Sequence, residues 1–141
     1  MSAPSIHASC VLVGARAVLI RGPSGAGKSH LAWRLLQAAE RGELRFARLV
    51  SDDRTHVQAL HGRLLARPAP QIAGMIELRG VGIRTLAYEP VAVVALVVDL
   101  NAAGDRLPED GTVELAGIRV PRLAIPAQSD PLPPVLAALA A

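Results

Sequence analysis

The sequence predicts an α/β fold, a mixed β-sheet with few helices. Short β-branched apolar runs recur along most of the chain, while only two stretches have helical spacing. A glycine-rich segment stands between an apolar run and a helical one, the order strand, loop, helix. Val91 to Leu100 is apolar on both faces, as a central strand is.

Cys10 to Val13 and Ala17 to Ile20, with Gly14 between them, read as a hairpin or two short strands. Residues 22–29, GPSGAGKS, form the glycine-rich turn. From Ser29 to Arg41 the apolar Leu31, Ala32, Leu35, Leu36 and Ala39 recur at helical spacing, and Gly42 stops the helix. Phe46 to Val50 is a short strand ending at Ser51-Asp52-Asp53. His56 to Leu60 and Arg63 to Leu65 make a second hairpin around His61-Gly62, and residues 67–74 a loop. Met75 to Leu78 and Ile83 to Leu86 flank a glycine-marked bend. After the strand Val91 to Leu100 come a loop over 101–111, a hairpin from Thr112 to Leu115 and Ile118 to Ile125, and a terminal helix over Pro131 to Ala141. No internal repeat or linker interrupts this order, so residues 1–141 read as one domain.

Composition narrows the function. The chain has 141 residues, 51% of them hydrophobic, which excludes a disordered polymer. Aromatics are only 2%, so no stacking platform for single-stranded nucleic acid is legible, and the arginines are scattered along the sequence from Arg16 to Arg122. Neither nucleic acid nor membrane is an expected partner. The longest apolar run falls far short of the roughly 20 residues that span a bilayer, and no signal peptide is legible, so the expected location is cytoplasmic. A single cysteine, Cys10, excludes an internal disulfide and reads as a small core residue. Lys28 is the only lysine, all other basic residues being arginine, which is the mark of a GC-rich coding sequence.

That lysine falls inside a phosphate-binding motif. Gly22-Pro23-Ser24-Gly25-Ala26-Gly27-Lys28-Ser29 satisfies G-x-x-x-x-G-K-[ST] at every fixed position. The glycines let backbone N–H groups turn toward phosphate oxygens, and the next helix offers its positive end to the same anion. Lysine is a compact charge on a flexible stem, whereas a planar guanidinium fits such a loop poorly. Ser29 carries the hydroxyl that such loops offer to Mg²⁺.

Two acidic sites compete for the metal or base role: Asp99 at the end of the apolar strand, favoured by periodicity, and the pair Asp52-Asp53. A GTPase is set aside, because its guanine-reading N-K-x-D motif needs a second lysine. A nucleoside-monophosphate kinase needs more helices than are legible.

The chain resembles the catalytic domain of bacterial HPr kinase/phosphorylase. The matching runs are HASCVLVGARAVLIRGPSGAGKS over 7–29, LVSDD over 49–53, IELRGVGI over 76–83, DRL over 105–107 and GIRVPRLAIP over 117–126. The resemblance implies a P-loop kinase core of the HPr kinase / phosphoenolpyruvate carboxykinase type, using ATP and Mg²⁺ to phosphorylate a serine of an HPr-like phosphocarrier and so regulate a phosphotransferase system. It implies Asp53 as catalytic carboxylate with Asp52 supporting it, His7 as a catalytic assistant, Lys28 and Ser29 in their P-loop roles, Glu77 as a magnesium ligand and Arg106 as catalytic arginine. It favours Asp53 over Asp99. The family's amino-terminal domain is not expected here, and the short form is like that of alphaproteobacterial members. The basic loop that the family links to dephosphorylation is here Ala127-Gln128-Ser129-Asp130-Pro131, without arginine, so phosphorylase activity is not among the expectations, and a homo-oligomer is left open. The alternatives are a P-loop kinase for a small molecule and a non-catalytic nucleotide-dependent regulatory module.

Overall fold

A computed structural model describes residues 4–102 and 111–140. Among them ten strands and two α-helices follow in the order β1 (Ser5–Val13), β2 (Arg16–Arg21), α1 (Lys28–Glu40), β3 (Ala47–Ser51), β4 (Arg54–Leu60), β5 (Arg63–Pro68), β6 (Met75–Leu78), β7 (Gly82–Thr85), β8 (Ala92–Leu100), β9 (Thr112–Leu115), β10 (Ile118–Ile125) and α2 (Leu132–Ala140). The mixed sheet and the scarcity of helices agree with the sequence reading.

β1 begins five residues before the apolar run that announces it. Ser5 and His7 are polar and outward, but Ile6 and Ala8 alternate with them toward the core, and Ser5 to His7 pair with β4. The loop expected over 67–74 likewise gives its first two residues to β5 and folds Pro70–Ile72 into a 3-10 turn. Gly42 ends α1 as expected: it sits at φ +81°, Gly42 N–H donates to Ala39 O at 3.1 Å and Glu43 N–H to Ala38 O at 2.8 Å, the paired bonds of a Schellman stop.

The sheet runs β2-β1-β4-β5-β8-β10-β9, with β3 added to β1 and β2 also pairing with β8. That last pairing closes β2, β1, β4, β5 and β8 into a ring. β8 is central, parallel to both β2 and β10 and antiparallel to β5. Alternation then splits the apolar residues in two. One face of the ring strands gathers Ala8, Cys10, Leu19, Val57, Leu64 and Ala66 inside it. The other face of β1, β2 and β8 packs Val11, Val18, Ile20 and Val98 against Leu31 and Leu35 of α1 and Val135 of α2. Cys10 is fully buried, and burial pushes its thiol well above the ordinary thiol range, so it acts as a small apolar residue. β6 and β7 form a separate hairpin beside α1. No helix of the described residues is long and apolar enough to cross a membrane.

Candidate active site

The glycine-rich loop joins the end of β2 to the start of α1, where both come free of the sheet. Gly22 is pressed against the end of β8: a Cβ there would lie 3.1 Å from Leu100 Cβ and 3.2 Å from Leu100 O. Gly25 and Gly27 take left-handed φ values of +84° and +98°, which favour glycine. Gly27 caps α1 without any side-chain hydrogen bond, and among the described residues no side chain is seen to accept from the N–H groups of the first turn. The Lys28 ammonium folds back on the loop, donating to Gly22 O at 2.8 Å and Pro23 O at 3.3 Å.

Asp52, at the end of β3, is the hub that faces this loop. It is buried, and its Oδ1 accepts from Ser29 Oγ at 2.6 Å and from Ser9 Oγ at 2.7 Å, while Oδ2 accepts from Glu77 N–H at 3.0 Å. Three segments far apart in sequence, β1, the start of α1 and β6, are thereby tied to one carboxylate. Asp53 joins this network through its backbone. Its φ is +66°, and Arg54 N–H donates to Asp52 O across it at 2.7 Å, a tight three-residue turn. Two bonds from β1 hold the turn: Ala8 N–H donates to Asp53 O at 3.0 Å, and Asp53 N–H donates to Ser9 Oγ at 3.2 Å. Non-glycine residues in the left-handed region cluster at functional sites, where surrounding structure over-determines them. The Asp53 side chain is exposed.

These residues line one cleft of about 790 Å³, bounded by five residues of the glycine loop, His30 and Trp33 of α1, Asp52, Asp53, and Glu77, Leu78, Arg79 and Val81 of the β6 hairpin. Of the sequence-predicted residues, the cleft unites Ser24, Gly25, Gly27, Lys28, Ser29, Asp52, Asp53 and Glu77. Gly22, Pro23 and Ala26 belong to the same loop without lining the cleft. His7 does not line it; it lies exposed on β1 opposite Arg54, next to Ala8. Arg106 lies outside the described residues.

Asp99, which periodicity favoured, is engaged elsewhere. Arg21 grips both its oxygens, at 2.7 and 2.8 Å, and Arg122 Nε also donates to Oδ2. Burial by itself would raise the Asp99 carboxyl, but the hydrogen bonds and charges of the two guanidiniums hold it below its ordinary range. It fastens the ends of β2, β8 and β10 together. Ser9 is the residue that sequence reading missed. Its signal was weak but present: a hydroxyl in the middle of an apolar strand is buried, and a buried hydroxyl needs partners.

Fold and site together describe a mixed α/β protein with a glycine loop facing a buried acid. The chain belongs to the HPr Serine kinase C-terminal domain family, which it matches over residues 1–132. It is 34% identical over 139 aligned residues to the HPr kinase/phosphorylase of Limosilactobacillus reuteri (strain DSM 20016), covering 89% of this chain and 41% of the relative. That of Streptococcus thermophilus (strain ATCC BAA-491 / LMD-9) is also 34% identical over 139, with 89% and 43% covered. Among solved structures, the Hpr(Ser) kinase/phosphatase from Coxiella burnetii superposes with a TM-score of 0.73 at 25% identity, over 96% of this chain and 87% of that one. The chain thus spans about two fifths of the length of the curated relatives it matches.

Proposed function

We propose that the chain is an ATP- and Mg²⁺-dependent protein-serine kinase that phosphorylates a serine of an HPr-like phosphocarrier and so regulates a phosphotransferase system. The observation that carries this reading is the 2.6 Å hydrogen bond from Ser29 to Asp52 in a cleft shared with Lys28, Asp53 and Glu77. Membership of the HPr Serine kinase C-terminal domain family supports it.

The donor set suits magnesium. Ser29, Asp52 and Glu77 bring hard oxygen atoms, and among the described residues no group of three or more His, Cys, Asp or Glu forms a full protein cage. Mg²⁺ is ordinarily held by one or two carboxylates and completed by water and phosphate oxygens. Bound Mg–ATP supplies the transferable phosphoryl group and the cation that offsets its charge. The chain's own residues do the rest. N–H groups of the 22–29 loop and the uncapped end of α1 bind phosphate oxygens. Lys28 contributes a compact positive charge. Ser29 and Glu77 hold the metal, with Asp52 fixing the Ser29 hydroxyl. Asp53, exposed beside that cluster, accepts the proton of the attacking seryl hydroxyl. Arg106 stabilises the transferring group and His7 assists, as the family resemblance implies.

The test is transfer of label from γ-labelled ATP to a serine of the cognate phosphocarrier in the presence of Mg²⁺. Asp53→Asn abolishes transfer and spares nucleotide binding. Absence of labelling by the unmodified chain overturns the proposal, and loss of transfer in Asp99→Asn but not in Asp53→Asn overturns the site assignment.

A further inference from the structure

The arginines that look scattered in sequence are not scattered in space. Cross-strand register puts His7 opposite Arg54, His56 opposite Arg67 and Leu60 opposite Arg63 on the antiparallel ladder β1-β4-β5. Period-two alternation sends Thr55, Val57, Leu64 and Ala66, all buried, to the inside of the ring. Arg54, Arg63 and Arg67 therefore share the opposite face, and all three are exposed. No aspartate or glutamate occurs anywhere in β1, β4 or β5. Elsewhere Arg21, Arg34, Arg48 and Arg122 are matched by carboxylates within the molecule, whereas Arg54, Arg63 and Arg67 form no ion pair among the described residues. The face starts at Arg54, the residue that follows Asp53, and β4 carries it away from the cleft for roughly 20 Å at about 3.4 Å per residue.

We propose that this face docks an acidic segment of the protein that carries the acceptor hydroxyl. The inference rests on the kinase reading and says which part of its protein substrate is recognised. β4 pairs with β5 along its length and with β1 over Arg54 to His56, so near the cleft recognition on this face falls to side chains. Guanidiniums bind carboxylates through planar forks, and an unbalanced positive strip attracts an acidic surface in a salt-dependent way. A segment lying along β4 and β5 leads directly to Asp53. Nucleic acid is the competing anion, but the strip carries no Phe, Tyr or Trp for bases to stack on.

The experiment measures binding separately from transfer. A fluorescein-labelled HPr-like phosphocarrier from the same genome is titrated with the full chain at low and moderate salt, and a labelled 20-nucleotide single strand is titrated in parallel. The variants are Arg54→Ala/Arg67→Ala, Arg54→Ala/Arg63→Ala/Arg67→Ala and, as a charge loss off the face equal to that of the double variant, Arg41→Ala/Arg45→Ala. The double variant is expected to weaken phosphocarrier binding about tenfold and the triple variant further, with a shallower salt dependence, while Arg41→Ala/Arg45→Ala stays within about twofold. Failure of the unmodified chain to bind the phosphocarrier overturns the proposal. So does full affinity in the triple variant, or an arginine-dependent preference for the oligonucleotide. Arginine-dependent binding without phosphoryl transfer supports the docking face and overturns the kinase reading instead. Melting temperatures of the variants establish that they fold.

Discussion

The Ser29 hydroxyl donates to Asp52 Oδ1 at 2.6 Å, and the same oxygen takes the Ser9 hydroxyl at 2.7 Å. Ser9 also accepts the Asp53 N–H, so one small side chain holds both acids, Asp52 through its carboxylate and Asp53 through its backbone. Ser9→Ala leaves Asp52 with one hydroxyl partner fewer and Asp53 N–H without its acceptor. We expect a stability loss of about 1–2 kcal/mol. On the kinase reading we also expect kcat to fall about tenfold or more, with KM for ATP within about twofold, because Ser9 reaches the glycine loop only indirectly, through Asp52. A partly unfolded population would also lower apparent kcat at unchanged KM, so the urea melt gives the folded fraction and kcat is compared per folded molecule.

Lys28 is the only lysine and Trp33 the only tryptophan, and both line the cleft. Trp33 therefore reports on the site without a label. Titration with Mg–ATP is expected to change its emission in the unmodified chain. Lys28→Arg is expected to weaken that titration at least about tenfold, since a fork-shaped guanidinium does not substitute for a compact ammonium among phosphate oxygens. An unchanged midpoint would mean that the lone lysine has no special relation to phosphate.

Local chemistry was legible and closure was not. Gly42, the 22–29 loop and the hairpin turns announce themselves through residues adjacent in sequence, and α1 and β8 were placed to within a residue or two. The ring formed when β2 meets β8 depends on distant contacts, such as Arg21 with Asp99, 78 positions apart, that no local pattern encodes. The choice between Asp99 and the Asp52-Asp53 pair shows the same limit. Both are acids at strand ends, and what separates them is the two arginines of neighbouring strands that neutralise Asp99. Only the resemblance favoured Asp53 in the sequence. The cationic face was invisible for a related reason: Arg54, Arg63 and Arg67 are spread over two strands and meet only through cross-strand register.

Gly22 tests how tightly the loop is seated. It has no left-handed requirement, so an alanine is opposed by space alone, at 3.1 Å from Ala26 Cβ and Leu100 Cβ and 3.2 Å from Leu100 O. The backbone oxygen cannot rotate away as a side chain would. Gly22→Ala is expected to lower stability by about 1–2 kcal/mol and to weaken nucleotide binding more than Ser9→Ala does, because the loop itself must move. Thermal melts and the Trp33 titration read these two effects.

Asp99→Asn should separate support from chemistry. The carboxylate sits between Arg21 and Arg122 with only 13% of its side chain exposed, so removing its charge leaves two guanidiniums facing a neutral amide. The expected loss is about 1–3 kcal/mol at neutral pH. Its pH dependence has a definite sign. Because the folded state holds the Asp99 carboxyl below its ordinary value of 3.8, the unfolded chain binds the extra proton first as pH falls. The stabilisation is thus complete above about pH 5, and it drains away as pH drops through the unfolded and then the folded value. Asparagine has nothing to titrate, so the gap between the two proteins measured by urea unfolding should be widest near neutrality and narrow below about pH 4. Since Asp99 faces the arginines and not the cleft, phosphoryl transfer by the folded variant should persist where Asp53→Asn abolishes it. A gap that is flat with pH would show that the arginines hold Asp99 by shape and hydrogen bonding without lowering its proton affinity.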